Sequence, residues 1–333
     1  MSLSSLLKGS KPKEKEFQAI LKEIIPDKKS FKTSSGKEAF SKNEYDDLVP
    51  YTLVKSYNST VIGTAFDYLA RIMLARLVKK NREESYTGIT AEKGLIVLSS
   101  FLTNHRSIES KIEKRFTKAI KKLKTFSDNK QDIKELILDV CFLAKLEHIF
   151  RSRMAPTNLL EKTFFNDPDD EVIKDLEELC DVFQEIFIPG SVTPNSEIIY
   201  NPHFGVASAF VGGADGDIII DGTLYDFKSG KNIGYKWQEA AQLVGYFLLN
   251  EISLDISNAD DFADDSYEHL EINRIAFYKA RYGEIEYIDL TYFDMNVINT
   301  TKKKLVSYFV KNPNLSMAMI KKLHILENLA NAK

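Results

Sequence analysis

Residues 211 to 231, VGGADGDIIIDGTLYDFKSGK, hold the pattern around which the rest of the chain can be arranged. Ile218, Ile219 and Ile220 form a branched apolar run, and Asp221-Gly222 signals a two-residue hairpin turn. Beyond it, Thr223 to Ser229 alternates again. With a two-residue turn Ile220 pairs with Thr223. Counting back places Asp217 opposite Asp226 and Asp215 opposite Lys228. Strand side chains alternate with period two, so these four share one face with Ile219 and Leu224. Ile218, Ile220, Tyr225 and Phe227 take the other face. Opposed side chains stand about 4.5–5.5 Å apart at Cβ. Two opposed carboxylates therefore repel unless a cation compensates them. Lys228 supplies one positive charge. A hard divalent cation supplies more, and it prefers carboxylate, carbonyl and water oxygens. Gly212 and Gly213 let the backbone bend just before the first acid. A hairpin can also carry acids simply because water covers its outer face. The paired glycines and the regular Tyr225-Asp-Phe-Lys alternation favour the metal site. GGADGD is not a nucleotide-binding loop, because it lacks the Lys-Ser/Thr ending and leads into a strand rather than a helix.

Before the hairpin the chain reads mainly as helix. The expected spans are 13–25, ended by Pro26, then 61–80, 91–101 with Thr90 as a possible cap, 108–123, 133–150 and 171–186. In the second span Ile62, Phe66, Leu69, Met73 and Leu77 repeat at helical spacing. A loop with Pro156 and Pro168 precedes the last of these helices. The character changes at Pro189. Residues 196–204 form a short β-rich run, 235–250 a helix, and 273–293 two strands about Tyr282-Gly283. Helices at 297–310 and 315–329 close the chain. The expected class is α/β or α+β: a small mixed sheet flanked by helices, with a largely helical N-terminal half. Residues 1–188 would form a helical region packing around a core at 189–333, as two regions or as one continuous domain.

The length of 333 residues allows a substantial core, and 44% apolar with 28% charged residues fits an ordinary soluble protein. Cys141 and Cys180 are far apart and in no CxxC arrangement. They support no disulfide framework, zinc knuckle or iron–sulfur cluster, and read as thiols packed on helices. No run reaches 18 apolar residues, and the first 17 residues lack the apolar core of a secretory signal. No membrane association is expected, and a cytoplasmic location follows by default. The net charge of −3 neither implies nor excludes nucleic acid. The basic run 111–124, KIEKRFTKAIKKLK, reads as a solvated helix face with a possible second use against phosphates, and the acidic run 258–271 as a solvated loop.

Gly212-Gly-Ala-Asp215, Asp226-Phe-Lys228 and Gln242-Leu-Val-Gly-Tyr246 stand in an order that resembles the PD-(D/E)XK nuclease superfamily, and most closely its RecB-type exonuclease domains. The linked order is far more specific than any piece, since Asp-x-Lys alone is common by chance. The resemblance covers about residues 195–250. It implies a restriction-endonuclease-like core and a Mg²⁺ or Mn²⁺ centre. Asp215 and Asp226 would hold the metal with the backbone carbonyl of Phe227, and Lys228 would orient or activate the attacking water. Gln242 and Tyr246, one helical turn apart and on a face with Gln238, would contact substrate or brace Lys228. Glu197 resembles an acid often found on the preceding strand. Asp67, in GTAFDYL, stands where such domains often carry a histidine, and carboxylate suits Mg²⁺. Asp217 is additional to the pattern and could touch a second ion or brace Lys228. His203 reads as a loop or core residue.

The implied activity is hydrolysis of phosphodiester bonds, with DNA as the expected partner and RNA left open. Protein partners and self-association stay undetermined. Two alternatives remain: a nuclease-like module that binds or assembles but cuts poorly, and a metal-assisted hydrolase of another phosphate. Asp215, Asp226 and Lys228 together favour catalysis.

Overall fold

The hairpin forms with the turn the sequence predicts. Asp221 (φ 46°) and Gly222 (φ 76°) both take the left-handed conformation that a tight turn between twisted strands requires. In this computed structural model, which describes residues 2–103, 105–129, 131–152, 166–259, 267–311, 323, 324 and 327, the pairing is Ile220 with Thr223, Ile219 with Leu224 and Ile218 with Tyr225. Those are the expected partners. The ladder then stops. Asp217 does not pair with Asp226, and Asp215 bridges His203 instead of facing Lys228. The extrapolation fails because residues 212–217 leave the strand path and return toward Pro202, whose carbonyl accepts from the Gly216 N–H.

The chain is mixed α/β. Helices α1 (Leu3–Lys8) and α2 (Pro12–Lys22) precede strand β1 (Lys32–Thr33). Helices α3 (Ser56–Leu77), α4 (Thr90–Phe101), α5 (Arg106–Asp128), α6 (Ile137–Ser152), α7 (Asp170–Val182) and the short α8 (Ile188–Ser191) follow. Next come β2 (Ile198–Tyr200), the short α9 (Ala207–Phe210), β3 (Ile218–Ile220), β4 (Thr223–Lys228) and α10 (Trp237–Ala259). Strands β5 (Arg274–Lys279) and β6 (Glu284–Asp289) and helix α11 (Met295–Lys311) complete the described elements. The strands form one open sheet in the order β1-β6-β5-β4-β3-β2. Every pair is antiparallel except β4 with β5, which α10 connects. The helix starts differ from the sequence reading by a few residues. Thr90 is the first helical residue rather than the cap, and Ile89 takes the cap position. The expected helix at 315–329 and the loop at Pro156 lie outside the described residues, apart from 323, 324 and 327.

Alternation along β4 divides the core into two layers. Ile218, Ile220, Tyr225 and Phe227 pack against α3 to α8, while Ile219 and Leu224 join α1, α2, α10 and α11 on the other side. The first forty residues thus belong with the C-terminal helices, and β1 extends the sheet by pairing with β6. On the first side a π-helical turn, Phe183–Phe187, stacks Phe183 on Phe187 at 4.6 Å and sets both rings edge-on to Phe227 at 5.8 and 5.6 Å. Cys141 and Cys180 are buried on α6 and α7, and burial pushes each thiol up to about 12.

One ion pair joins these parts. Arg281, 1% exposed, forks onto Asp175 of α7 at 2.7 and 2.6 Å. Its Nε also donates to the Ser229 carbonyl at 2.6 Å and its Nη1 to the Val49 carbonyl at 3.2 Å. Removing one partner would leave a buried charge unpaired. Asp175→Ala is therefore expected to lower stability by about 3–5 kcal/mol in urea unfolding, and Arg281→Lys, which lacks the planar fork, to lower it as well.

Candidate active site at the end of strand 4

Asp226 and Lys228 are the last alternate residues of β4 and point toward α10. Their side chains form an ion pair. Above them, Gln242 Nε2 donates to Tyr246 Oη at 2.7 Å, one turn apart on α10. Tyr246 is buried and stacks on Phe204 at 4.8 Å, so this rigid ring fixes the amide of Gln242. Gln242, Gln238 and Lys228 line a common pocket. The structure therefore brings together Asp226, Lys228, Gln242 and Tyr246 as expected. Phe227, whose carbonyl was the expected further ligand, lies between Asp226 and Lys228 with its ring in the opposite layer.

The acids on the neighbouring segment arrive by a different route. Where the hairpin ladder stops, the Phe227 N–H needs another acceptor. Asp217 Oδ2 takes that bond at 2.7 Å. Asp217 thus replaces a missing backbone partner and sits close enough to Asp226 for their charges to interact. Asp67 on α3 faces the same cluster. Burial, then Asp217, Glu147 and Asp226, raise its carboxyl well above the usual range, against the opposing pull of Arg71. Burial and then Asp226 raise Asp217 to about 6, although the Phe227 N–H, Lys228 and Arg71 oppose this. For Lys228, burial favours the neutral amine, yet Asp226 and Glu239 outweigh it and hold the side chain above its ordinary range.

Asp215 sits further out, with its side chain 41% exposed. Arg151 Nη2 approaches its Oδ2 at 3.1 Å, and Arg151 Nε donates to Glu147 Oε1 at 2.7 Å. Glu147 also accepts from the Tyr68 hydroxyl at 2.6 Å. Helices α3 and α6 therefore add Tyr68, Arg71, Glu147 and Arg151, all missed in the sequence. Their only sequence trace is two i,i+4 pairs, Asp67/Arg71 and Glu147/Arg151, a spacing common on any helix.

Glu197 is not part of this group. It precedes β2, whose first residue pairs with the last of β3, so it lies at the turn end of the hairpin. There its side chain, 65% exposed, meets Lys80 at 2.6 Å. The basic run 111–124 forms the exposed face of α5, which buries Ile112, Ala119 and Leu123.

Among the described residues no group of three or more His, Cys, Asp or Glu side chains is drawn together at metal-holding distance. The acids are instead parcelled out: Asp215 to Arg151, Asp226 to Lys228, Asp217 to a backbone N–H. The donor chemistry still fits a hard cation. Asp226 Oδ2 is buried and accepts no hydrogen bond, leaving Lys228 as its ionic contact. Burial first, and then neighbouring carboxylates, raise Asp67 and Asp217, and a bound cation would oppose both effects. Such hard oxygen donors suit Mg²⁺ or Mn²⁺. No protein-family model, curated protein or solved structure matches this chain.

Folded Asp217 keeps its proton up to about 6, while an unfolded aspartate releases it near 3.8. The folded state binds more protons between these values, so Asp217 lowers stability as pH rises through about 6. A divalent cation bound by the ionised cluster offsets that loss. Mg²⁺ or Mn²⁺ should therefore raise Tm more at about pH 7.5 than at about pH 5. Scanning calorimetry reads this directly, and an equal shift at both pH values would count against a cation at Asp217.

Proposed function

We propose that the chain is a Mg²⁺- or Mn²⁺-dependent nuclease of the PD-(D/E)XK type, with a restriction-endonuclease-like core, that hydrolyses phosphodiester bonds in DNA. The observation that carries this reading is the meeting of Asp226, Lys228, Gln242 and Tyr246 at the end of one central strand, with Asp67, Asp215 and Asp217 beside them. These residues are dispersed in sequence, and a solvated hairpin face would not assemble them. The mixed sheet, with its single parallel pair at β4 and β5, supports the same reading.

Asp215 and Asp226 would hold the cation, with Asp217 and Asp67 adding negative charge. A cation held there would supply Lewis acidity toward the attacking water and the phosphate. Lys228 acts as a cation in this scheme. A general base at neutral pH needs a lowered lysine pKa, and Asp226 with Glu239 hold this one raised. It orients water and offsets phosphate charge. Gln242, fixed by Tyr246, presents its amide to the substrate side of the pocket. Arg151 holds Oδ2 of Asp215, so a metal there would take Oδ1 or displace the guanidinium.

That contact also favours the second reading, a module that binds nucleic acid with little cleavage, because Arg151 then keeps Asp215 occupied. The two separate by assay. Asp226→Asn and Lys228→Ala should each reduce Mn²⁺-dependent degradation of DNA by about 10²-fold or more, on the scale of losing a charge-stabilising group, with the native circular dichroism spectrum retained at the assay temperature. Glu197→Gln should leave the rate unchanged. Full activity in both site variants would overturn the nuclease assignment. Binding of DNA without cleavage, across linear, circular, single-stranded and double-stranded substrates, would favour the second reading.

A further inference from the structure

Lys228 has a second side. Away from Asp226 it opens into a pocket of about 240 Å³ shared with Ser4, Lys8, Lys236, Gln238 and Gln242. The polar lining is rich in donors: three ammonium groups, one hydroxyl and two amides, with Glu239 the single acid. Lys236 pairs with Glu239 at 2.9 Å and Lys228 with Asp226, while Lys8 makes no ion pair among the described residues. The lining therefore carries more positive charge than its own acid neutralises, which suits an anion with several acceptor oxygens.

The far wall is α1, and it is firmly seated. The Leu3 N–H donates to the Gly213 carbonyl at 3.1 Å. Gln18 Nε2 donates to the carbonyls of Leu6 at 3.0 Å and Gly9 at 2.8 Å. Leu3 packs so closely on Gly245 of α10 that a Cβ there would stand 3.1 Å from Leu3 Cδ2. Leu3, Leu6 and Leu7 are buried beneath α1. The pocket is thus walled by a firmly seated helix beside Lys228. It is smaller than the roughly 300–1,000 Å³ typical of pockets for drug-sized ligands. A duplex cannot run through such a space, but a strand terminus can enter it.

We propose that this pocket seats the terminal phosphate of a DNA strand, so that the enzyme engages ends. This rests on the nuclease reading above. A terminal monoester carries about −1.5 to −2 charge at pH 7, against −1 for each internal diester. An excess of lysines therefore selects the end group over the phosphates that follow it. Lys8 and Lys236 grip the terminal phosphate, Gln238 and Ser4 donate to its oxygens, and Lys228 lies between it and the scissile bond.

The test is fluorescence anisotropy with the full chain in EDTA, using oligonucleotides of one sequence that end in a 5′-phosphate, a 3′-phosphate or hydroxyls only. One phosphorylated form should bind about tenfold more tightly than the hydroxyl form, as expected for charge-assisted bonds, and which one identifies the polarity. Lys8→Ala with Lys236→Ala, both exposed positions, should abolish that preference with Tm unchanged. Equal affinity for all three DNAs, or a preference that survives in the double variant, would overturn the proposal. Cleavage is scored separately with Mn²⁺. Cutting without an end preference in binding removes the pocket and leaves the nuclease. An end preference without cutting does the reverse.

Discussion

The guanidinium of Arg281 is the junction on which the rest of the structure depends. Four contacts reach α7, the chain after β4, and the loop before α3. The Ser229 carbonyl it holds is one residue from Lys228. An arginine is required because only a planar fork can meet a carboxylate bidentately while its third nitrogen donates elsewhere. Burial removes competing water, so the pair is strong when complete and costly when halved. The end of β4 is therefore tied to a charge in the helical layer, behind the sheet.

At the front of the sheet the electrostatics run the other way. Asp67, Glu147, Asp215, Asp217 and Asp226 gather near Arg71, Arg151 and Lys228, and burial first, then the neighbouring carboxylates, raises Asp67 and Asp217. A stable interior satisfies its charges locally, as Arg281 and Asp175 do. The site leaves Asp226 Oδ2 without a hydrogen bond. Its charged contact is Lys228, so this buried carboxylate depends on one neighbouring cation where Asp175 has a two-pronged fork.

Local features were legible in the sequence. The Asp-Gly turn set three strand pairs correctly, and the turn at Tyr282-Gly283 placed β5 and β6. The period-two assignment sorted Ile219 and Leu224 from Tyr225 and Phe227 into two layers. The reading failed where it assumed that regular geometry continued. Past Ile218 the chain leaves the ladder, so Asp215 and Asp217 reach the site through Arg151 and the Phe227 N–H rather than by register. Glu197 was misplaced because β2 runs antiparallel to β3, which carries the start of β2 to the hairpin turn. Glu147 and Arg151 could not be singled out, since their spacing occurs on ordinary solvated helices and only packing against β4's surroundings gives it meaning. The same holds for α1, whose role depends on lying across α10.

The edge pairing of Lys32 with Tyr287 and Thr33 with Glu286 has a consequence for synthesis. A strand made early has no partner until nearly the whole sheet has left the ribosome. Loop closure over such a separation is entropically expensive and slow. Strand β1 therefore docks late, after β6 exists to receive it, whereas the partners of α1 at Gly213 and Gly245 are made earlier. Until then β6 is an open sheet edge, whose unpaired backbone groups would accept any extended strand, and the closing of that edge by β1 is what ends the exposure.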